Sequence, residues 1–312
     1  MKCSICNNRA VIYLNYSKRF LCKRHFNHHL EKIVKRTIRE YRMIENVKKL
    51  GVAVSGGKDS LTALFIINKI AKEARIGLVA IFVDEGIKGY RDKLLKEAKD
   101  FCKKIDVELK VYSFKNEFGI TMDEIIKKKK REKSCTYCGV LRRWILNKAA
   151  RELNVDKLII GHNLDDMVQS FLMNIIRNEP FRLVRFGEES GIIEDEYFVQ
   201  RIRPLMRIPE REIAIYAVLN GIKSNFFECP YVEESFRHKI RNFINDLENE
   251  YPGTKFNLFN SFINFRKILM REYEEKKKEK VNYCKKCGEP TSKEICRACE
   301  LLENLKNENE KE

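Results

Sequence analysis

The sequence predicts an α/β chain: a doubly wound parallel sheet flanked at each end by a small cysteine-rich module. Two observations predict the sheet. Short strand-like segments at Leu50–Val54, Leu78–Val83, Val107–Tyr112 and Lys157–Ile160 alternate with longer segments of helical character, which is the rhythm of βαβ units. The first of these runs also passes through two glycines into an apolar stretch long enough for a buried helix, Leu61–Ile67. The modules are predicted by paired short spacings of Cys and His near both termini.

In the first module Cys3-x-x-Cys6 is followed, after fifteen residues, by Cys22-x-x-His25, with Val11–Leu14 as one arm of a hairpin between the pairs. Two short-spaced pairs converging from a hairpin make a tetrahedral Cys₃His site for structural Zn²⁺. His28 and His29 read as surface histidines once that set is complete. A basic amphipathic helix is expected from there through Met43. Its Lys32, Lys35, Arg36, Arg39 and Arg42 are either phosphate contacts or a solvated face.

The central stretch runs from Lys49 to Ser60. A strand is followed by Ser55-Gly56-Gly57-Lys58-Asp59-Ser60 and then by a helix. Glycines let backbone N–H groups approach an anion closely, and the free N–H groups and dipole of the helix start favour negative charge. This is a phosphate cradle. It is not a Walker A loop, because Val52 stands where that pattern needs glycine and Asp59 follows the lysine.

The second strand ends at Asp84-Glu85-Gly86, and a helix from Tyr90 to Lys104 carries Cys102, which reads as a core thiol. After the third strand comes a basic run, Lys127–Lys133, and then Cys135-Thr136-Tyr137-Cys138-Gly139 ahead of a helix expected over 140–153. The partner expected for these two cysteines is Cys229, in Phe226-Phe227-Glu228-Cys229-Pro230. Three thiolates from separated segments leave one position open and suit an iron–sulfur cluster, while a redox dithiol carrying a persulfide and a set of incidental thiols fit the same spacing.

The fourth strand turns through Gly161-His162-Asn163-Leu164-Asp165-Asp166 into a helix expected over 167–177. Ligands of open α/β sheets bind beyond the carboxyl ends of the strands, so this turn and Ser55–Ser60 should share one crevice. Gly161 would allow the nucleotide close. Asp165 is assigned as the helix cap and Asp166 as the functional carboxylate, able to hold Mg²⁺, with His162 structural. An irregular arm over 186–203, a helix opened by Pro209, Glu210 and Glu212, and a basic, phenylalanine-rich helical segment over 231–277 come next. The second module, Cys284-x-x-Cys287 and Cys296-x-x-Cys299 with Gly288 at the knuckle, reads as a Cys₄ zinc site. The expected organisation is a zinc finger at 1–30, a nucleotide domain at 31–230, an RNA-binding helical segment at 231–280, a zinc ribbon at 281–303 and a disordered tail at 304–312.

Lys and Arg number 62 against 45 Asp and Glu, a net charge of +17, which suits a polyanion such as nucleic acid. No apolar run approaches the ~20 residues that span a bilayer. Met1-Lys2-Cys3 opens no signal peptide, so a cytoplasmic location is expected and the eleven cysteines are read as thiols or metal ligands.

Taken together, the Ser-Gly-Gly-x-Asp-Ser loop, Cys-x-x-Cys-Gly-x-x-Arg-Arg from Cys135 to Arg143, Gly-His-Asn-x-x-Asp-Asp and a distal Cys-Pro resemble the TtcA/TtuA-type tRNA thiolation enzymes of the PP-loop ATPase superfamily. The flanking zinc modules resemble the 2-thiouridine branch. The resemblance covers nearly the whole chain in the same motif order. It implies a Rossmann-like PP-loop domain that splits ATP to AMP and pyrophosphate. ATP would lie on Ser55, Gly56, Gly57, Lys58, Asp59 and Ser60, with Ala53 and Ile81 near the adenosine and Arg142 and Gly161 completing the site. Asp59 or Asp166 would hold Mg²⁺, and Cys135, Cys138 and Cys229 a [4Fe-4S] cluster. The enzyme would adenylate O2 of a tRNA uridine, at position 34 or 54 with 34 favoured. Sulfur from sulfide, a persulfide or a thiocarboxylated ubiquitin-like carrier would then replace it, and a homodimer is implied. A PP-loop ligase or amidotransferase on a small substrate would leave the three thiols without work. A non-enzymatic zinc-ribbon RNA binder would leave the intact loop and Asp165–Asp166 unexplained.

Overall fold

The computed structural model of the chain describes residues 1–129, 134–187, 189–190, 197–224, 229–231, 236–276 and 282–307. Lys130–Lys133 of the basic run, 191–196 of the expected arm, Phe226–Glu228, the 277–280 linker and the last five residues lie outside the described residues.

A two-stranded hairpin, β1 (Ile12–Leu14) and β2 (Arg19–Leu21), feeds α1 (Lys23–Glu40). In α1, Phe26, Leu30, Val34 and Ile38 recur at every fourth position and are at most 5 % exposed, so one face is wholly buried. Residue 30, expected to close the first module, therefore falls in mid-helix, and the finger shares one continuous helix with the segment leading into the central sheet.

That sheet comprises β3 (Lys49–Val54), β4 (Gly77–Asp84), β5 (Glu108–Ser113), β6 (Lys157–Ile160), β7 (Glu189–Ser190) and β8 (Gln200–Ile202), in the order β5-β4-β3-β6-β8-β7. The first five in that order are parallel and β7 is antiparallel at the edge. The expected irregular arm thus contains two strands. β8 escapes sequence reading because it is three residues long, carries Arg201 at its centre and is followed by Arg203, so no apolar run marks it. Ala53 pairs with Ile81 on one side and with Ile160 on the other. That register brings the ends of β3, β4 and β6, and hence Ser55, Glu85 and Gly161, to one edge.

Helices cover both faces, as a doubly wound sheet requires. One core takes α2 (Lys58–Ala74), α3 (Arg91–Ile105), α7 (Leu164–Ile176), α9 (Glu210–Leu219), α10 (Phe236–Glu250) and α11 (Thr254–Lys276). The other joins β4 to α4 (Phe114–Phe118), α5 (Met122–Lys129), α6 (Ser134–Glu152) and the terminal ribbon of β9 (Asn282–Tyr283), β10 (Pro290–Thr291) and α12 (Arg297–Asn307). A short α8 (Pro180–Arg185) precedes β7.

Two expected helices change. The one placed at 140–153 starts at Ser134, so Cys135 and Cys138 stand on its opening turns. The single helical segment over 231–277 is broken into α10 and α11 at Pro252-Gly253, where φ is +104°. Phe259 and Phe262 of α11 join the main core and Phe243 and Phe265 are exposed, so this segment packs as part of the nucleotide domain. Buried Glu289 of the ribbon accepts bonds from Asn147 Nδ2 (2.9 Å) and Arg151 Nη1 (3.0 Å), which ties the ribbon to α6.

Candidate active site

The loop Ser55–Ser60 is ordered by its own serines. Ser55 N–H donates to Ser60 Oγ (3.1 Å), Ser60 Oγ donates to Gly57 O (2.9 Å), and Gly57 N–H donates to Ser55 Oγ (3.3 Å). Gly56 has φ +85°, and a Cβ there would stand 2.5 Å from Leu94 O, so both conformation and space demand glycine. Lys58 Nζ donates to Asp59 Oδ2 (2.9 Å) and Glu210 Oε1 (2.7 Å). Burial opposes its charge, but Asp59 and Glu210 outweigh burial and raise its pKa. Arg241, within the basic segment expected to bind RNA, turns inward onto both oxygens of Glu210 (2.8 and 2.9 Å).

Beyond β6, Asn163 caps α7. Its Oδ1 accepts from Asp166 N–H (3.0 Å), and Asp166 Oδ2 accepts from Asn163 N–H (3.1 Å), a reciprocal capping box. The expected cap, Asp165, is instead buried, accepting from Glu210 N–H (2.8 Å) and from Lys255 Nζ. Asp166 both caps and faces the crevice. Burial pushes its carboxyl up to about 6, with the Asn163 N–H and Arg237 opposing and Asp59 and Glu210 adding. Asn163 Nδ2 also donates to Asp59 Oδ1 (3.0 Å), joining this turn to the loop. A Cβ on Gly161 would meet Ser60 Cα at 3.0 Å and Asp59 O at 3.1 Å, so this glycine lets the phosphate-loop backbone approach closely. Ile81 is fully buried, while its neighbour Ala53 is partly exposed.

The third component grows from the end of β4. Glu85 is 2 % exposed, and its Oε2 lies 2.5 Å from Arg91 Nε and its Oε1 3.3 Å from Arg142 Nε. Arg91 donates onward to Ser55 O (3.1 Å), and Arg142 Nη2 donates to Cys138 Sγ (3.3 Å). Arg142, expected at ATP, makes no hydrogen bond to Ser55–Ser60 among the described residues. Burial pushes the Cys138 thiol up to about 11 against Arg142, with Glu85 and Cys229 adding. Burial also raises Cys229, with Cys135 and Glu85 contributing. The three thiols are linked electrostatically, Cys138 to Cys229 and Cys229 to Cys135. They do not fall among the groups whose ligand atoms all lie within 4.8 Å of one another. Sequence reading misses Glu85 and Arg91 as site residues. Their signal is a carboxylate closing an apolar strand at the same edge as the loop.

Two sets do lie within 4.8 Å: Cys3, Cys6, Cys22 and His25, and Cys284, Cys287, Cys296 and Cys299. In the first, His25 Nδ1 is 3.4 Å from Cys3 Sγ and from Cys22 Sγ. In each set one thiol is held down at about 6 by backbone N–H groups that overcome burial: Cys3, bonded by Ile5, Cys22 and Cys6, and Cys284, bonded by Cys296, Cys287 and Lys286. Each set could bind a metal ion.

A family described as the PP-loop domain matches residues 23–248, and a second, the N-terminal LIM domain of 2-thiouridine synthetase TtuA, matches residues 2–27. This chain belongs to the TtuA-type PP-loop family. Among TtuA-type relatives, a probable sulfurtransferase of Methanocaldococcus jannaschii is 41 % identical over 98 % of this chain and 88 % of its own. A tRNA-5-methyluridine(54) 2-sulfurtransferase of Pyrococcus horikoshii is 33 % identical over 96 % and 93 %. The solved U34-tRNA thiolase NcsA from Methanococcus maripaludis with its [4Fe-4S] cluster superposes with a TM-score of 0.82 at 33 % identity, covering 98 % of this chain and 96 % of that one. Among the described residues no helix is long and apolar enough to cross a membrane.

Proposed function

We propose that this chain is an ATP-dependent tRNA-uridine 2-sulfurtransferase, acting in the cytoplasm as a homodimer. The observation that carries the reading is one connected edge: Ser55 O binds Arg91, Arg91 binds Glu85, Glu85 binds Arg142, and Arg142 binds Cys138. The phosphate-cradle loop is thereby connected to Cys138, one of the three thiols.

The loop N–H groups and the start of α2 would hold the pyrophosphate of ATP. Lys58 would exchange Glu210 for phosphate oxygens, and Asp59 with Asp166 would hold Mg²⁺. Uridine O2 attacks the α-phosphorus and pyrophosphate leaves. A sulfur nucleophile drawn from sulfide, a persulfide or a thiocarboxylated carrier then adds at C2, and AMP departs with the former O2. Cys135, Cys138 and Cys229 would hold a [4Fe-4S] cluster, which would supply an iron site able to bind and activate the incoming sulfur. The Cys₃His and Cys₄ sets would each hold a structural Zn²⁺, since four protein ligands close the site. The favoured target is uridine 34, on the likeness to a U34 thiolase, with 54 the alternative.

The test is tRNA nucleoside analysis after anaerobic incubation with ATP, Mg²⁺ and sulfide, for the reconstituted protein and its Cys229→Ala variant. Appearance of 2-thiouridine with the first and its loss with the second supports the reading. ATP left intact in the presence of tRNA overturns it.

A further inference from the structure

Helix α10 brings an arginine to the edge of the phosphate loop. Ile240 and Ile244, at most 7 % exposed, seat the helix in the main core, and Arg237 fastens it to α7 through Gln169 Oε1 and Ser170 Oγ (3.1 Å each). Arg241, one turn beyond Arg237, reaches Glu210 of α9, its Nη2 donating to Oε1 (2.9 Å) and Oε2 (2.8 Å). Lys58 Nζ donates to the same Oε1 at 2.7 Å. The loop lysine and the α10 arginine therefore meet on one carboxylate oxygen. All three side chains can be reached from solvent: Arg241 is 37 % exposed, Glu210 24 % and Lys58 16 %.

Among the described residues the crevice is balanced by ion pairs. Lys58, Arg237, Arg241 and Lys255 face Asp59, Asp166, Glu210 and Asp165. An anion therefore enters by exchange, displacing a carboxylate from its donors. Glu210 is placed for that exchange. Burial opposes its charge, but Lys58 and Arg241 outweigh burial and hold its carboxyl below the usual range, so it stands there as an anion. Its backbone is fixed, Glu210 N–H donating to Asp165 Oδ2 (2.8 Å), and rotation about side-chain bonds alone would free both cations. Mg²⁺ arriving with ATP would give Asp59 and Asp166 a cation of their own, leaving Glu210 as the carboxylate to be displaced.

We propose that Arg241 is a second phosphate ligand, binding with Lys58 a phosphate of the pyrophosphate moiety of ATP in the place that the Glu210 carboxylate holds here, a proposal that rests on the ATP-dependent reading above. Lys58 belongs to the loop that cradles pyrophosphate, so a donor sharing an oxygen with Lys58 Nζ lies within reach of the same phosphate. Carboxylate and phosphate oxygens are interchangeable partners for a guanidinium, and such charge-assisted bonds are the strong kind. The inward turn of Arg241 selects the nucleotide over an RNA backbone. When uridine O2 attacks the α-phosphorus, the bond to the bridging oxygen of pyrophosphate breaks and its electron pair stays on that oxygen. Lys58 and Arg241 would stabilise the charge so delivered.

The test compares binding of ATP, pyrophosphate and AMP to the full-length reconstituted protein, with Mg²⁺ and without tRNA. Arg241→Gln should weaken ATP and pyrophosphate by roughly tenfold or more. It should leave AMP unchanged, because AMP lacks the phosphates this side chain would touch. Arg241→Lys should recover part of the loss, as a point charge without the fork. Glu210→Gln should act in the opposite direction and tighten pyrophosphate binding, because the competing anion is gone while its shape remains. An ion pair that only docks α10 gives no such reversal. Unchanged ATP and pyrophosphate binding in Arg241→Gln overturns the assignment, as does an equal weakening of AMP, which would make Arg241 a brace for α10. Intact ATP binding with weakened tRNA binding also overturns it and makes Arg241 an RNA contact. If Arg241→Gln does not fold, Glu210→Gln carries the test, and weaker pyrophosphate binding there overturns the proposal. Variants that bind ATP as wild type does sink only this role, whereas a wild type that binds neither ATP nor pyrophosphate sinks the ATP-dependent reading as well.

Discussion

Oε1 of Glu85 lies 3.3 Å from Nε of Arg142, and this contact makes one buried carboxylate the hinge between two arginines of different duty. The other oxygen anchors Arg91, which holds Ser55 O, while Arg142 carries Cys138. Removing one partner of a buried ion pair leaves uncompensated charge, at a cost of about 3–5 kcal/mol. Glu85→Gln is therefore expected to lower stability by that order in denaturant titration, and to reduce iron retained after anaerobic reconstitution. Wild-type stability together with wild-type iron content would show that Glu85 links nothing.

Gly161→Ala tests the contact between the β6 turn and the phosphate loop. The added methyl would meet the Ser60 and Asp59 backbone at 3.0–3.1 Å, a contact that closes only if the loop gives by a few tenths of an ångström. A misplacement approaching 1 Å costs on the order of 10²-fold in rate. AMP formation with tRNA should fall by tenfold to about that limit, the protein remaining folded by circular dichroism. Undiminished AMP formation would mean that the loop can move without penalty.

Glu212 on α9 predicts a pH dependence. It is 3 % exposed, and burial raises its carboxyl to about 7 against a lowering bond from Tyr16, while Oε2 is buried without a partner. A carboxyl raised on folding stabilises fully below its unfolded value, and that contribution is lost as pH climbs through the folded one. The loss between about pH 4.5 and 7 is on the order of 3 kcal/mol. Glu212→Gln should flatten this slope, so the variant gains on wild type from pH 5 to pH 8 in paired chemical denaturations. Parallel pH profiles for the two proteins would exclude Glu212 as the source.

The first cysteine set is tested by metal content. Cys22→Ser removes a ligand at the start of α1, next to buried Phe26. Zinc per chain should fall from two equivalents to one, and the melting temperature should drop because the hairpin loses the ion that ties it to α1. Two equivalents retained by the variant would mean that the N-terminal set is not a zinc site.

Much of this architecture is legible in local chemistry. Leu50–Val54, Leu78–Val83 and Lys157–Ile160 are apolar enough to declare buried strands, and both cysteine sets lie at spacings a single metal can close, because hydrophobic periodicity and ligand spacing are properties of short segments. The motif order from Ser55 to Cys229 likewise identifies the family without any coordinates.

What those segments cannot disclose is how charges separated along the chain share one space. Asp165 has the look of a cap, yet Asn163 takes that place and Lys255, 90 residues on, takes Asp165. Arg241 lies in a segment read as RNA-binding but folds onto Glu210, and Arg142 bridges Glu85 and Cys138, a link that spacing does not reveal. β8 has no apolar run to announce it and exists because β6 offers it a partner. Pairing, burial and electrostatic neighbourhood depend on the complete packed chain, since an ion pair gains its strength only where water is excluded and the opposite charge has been delivered.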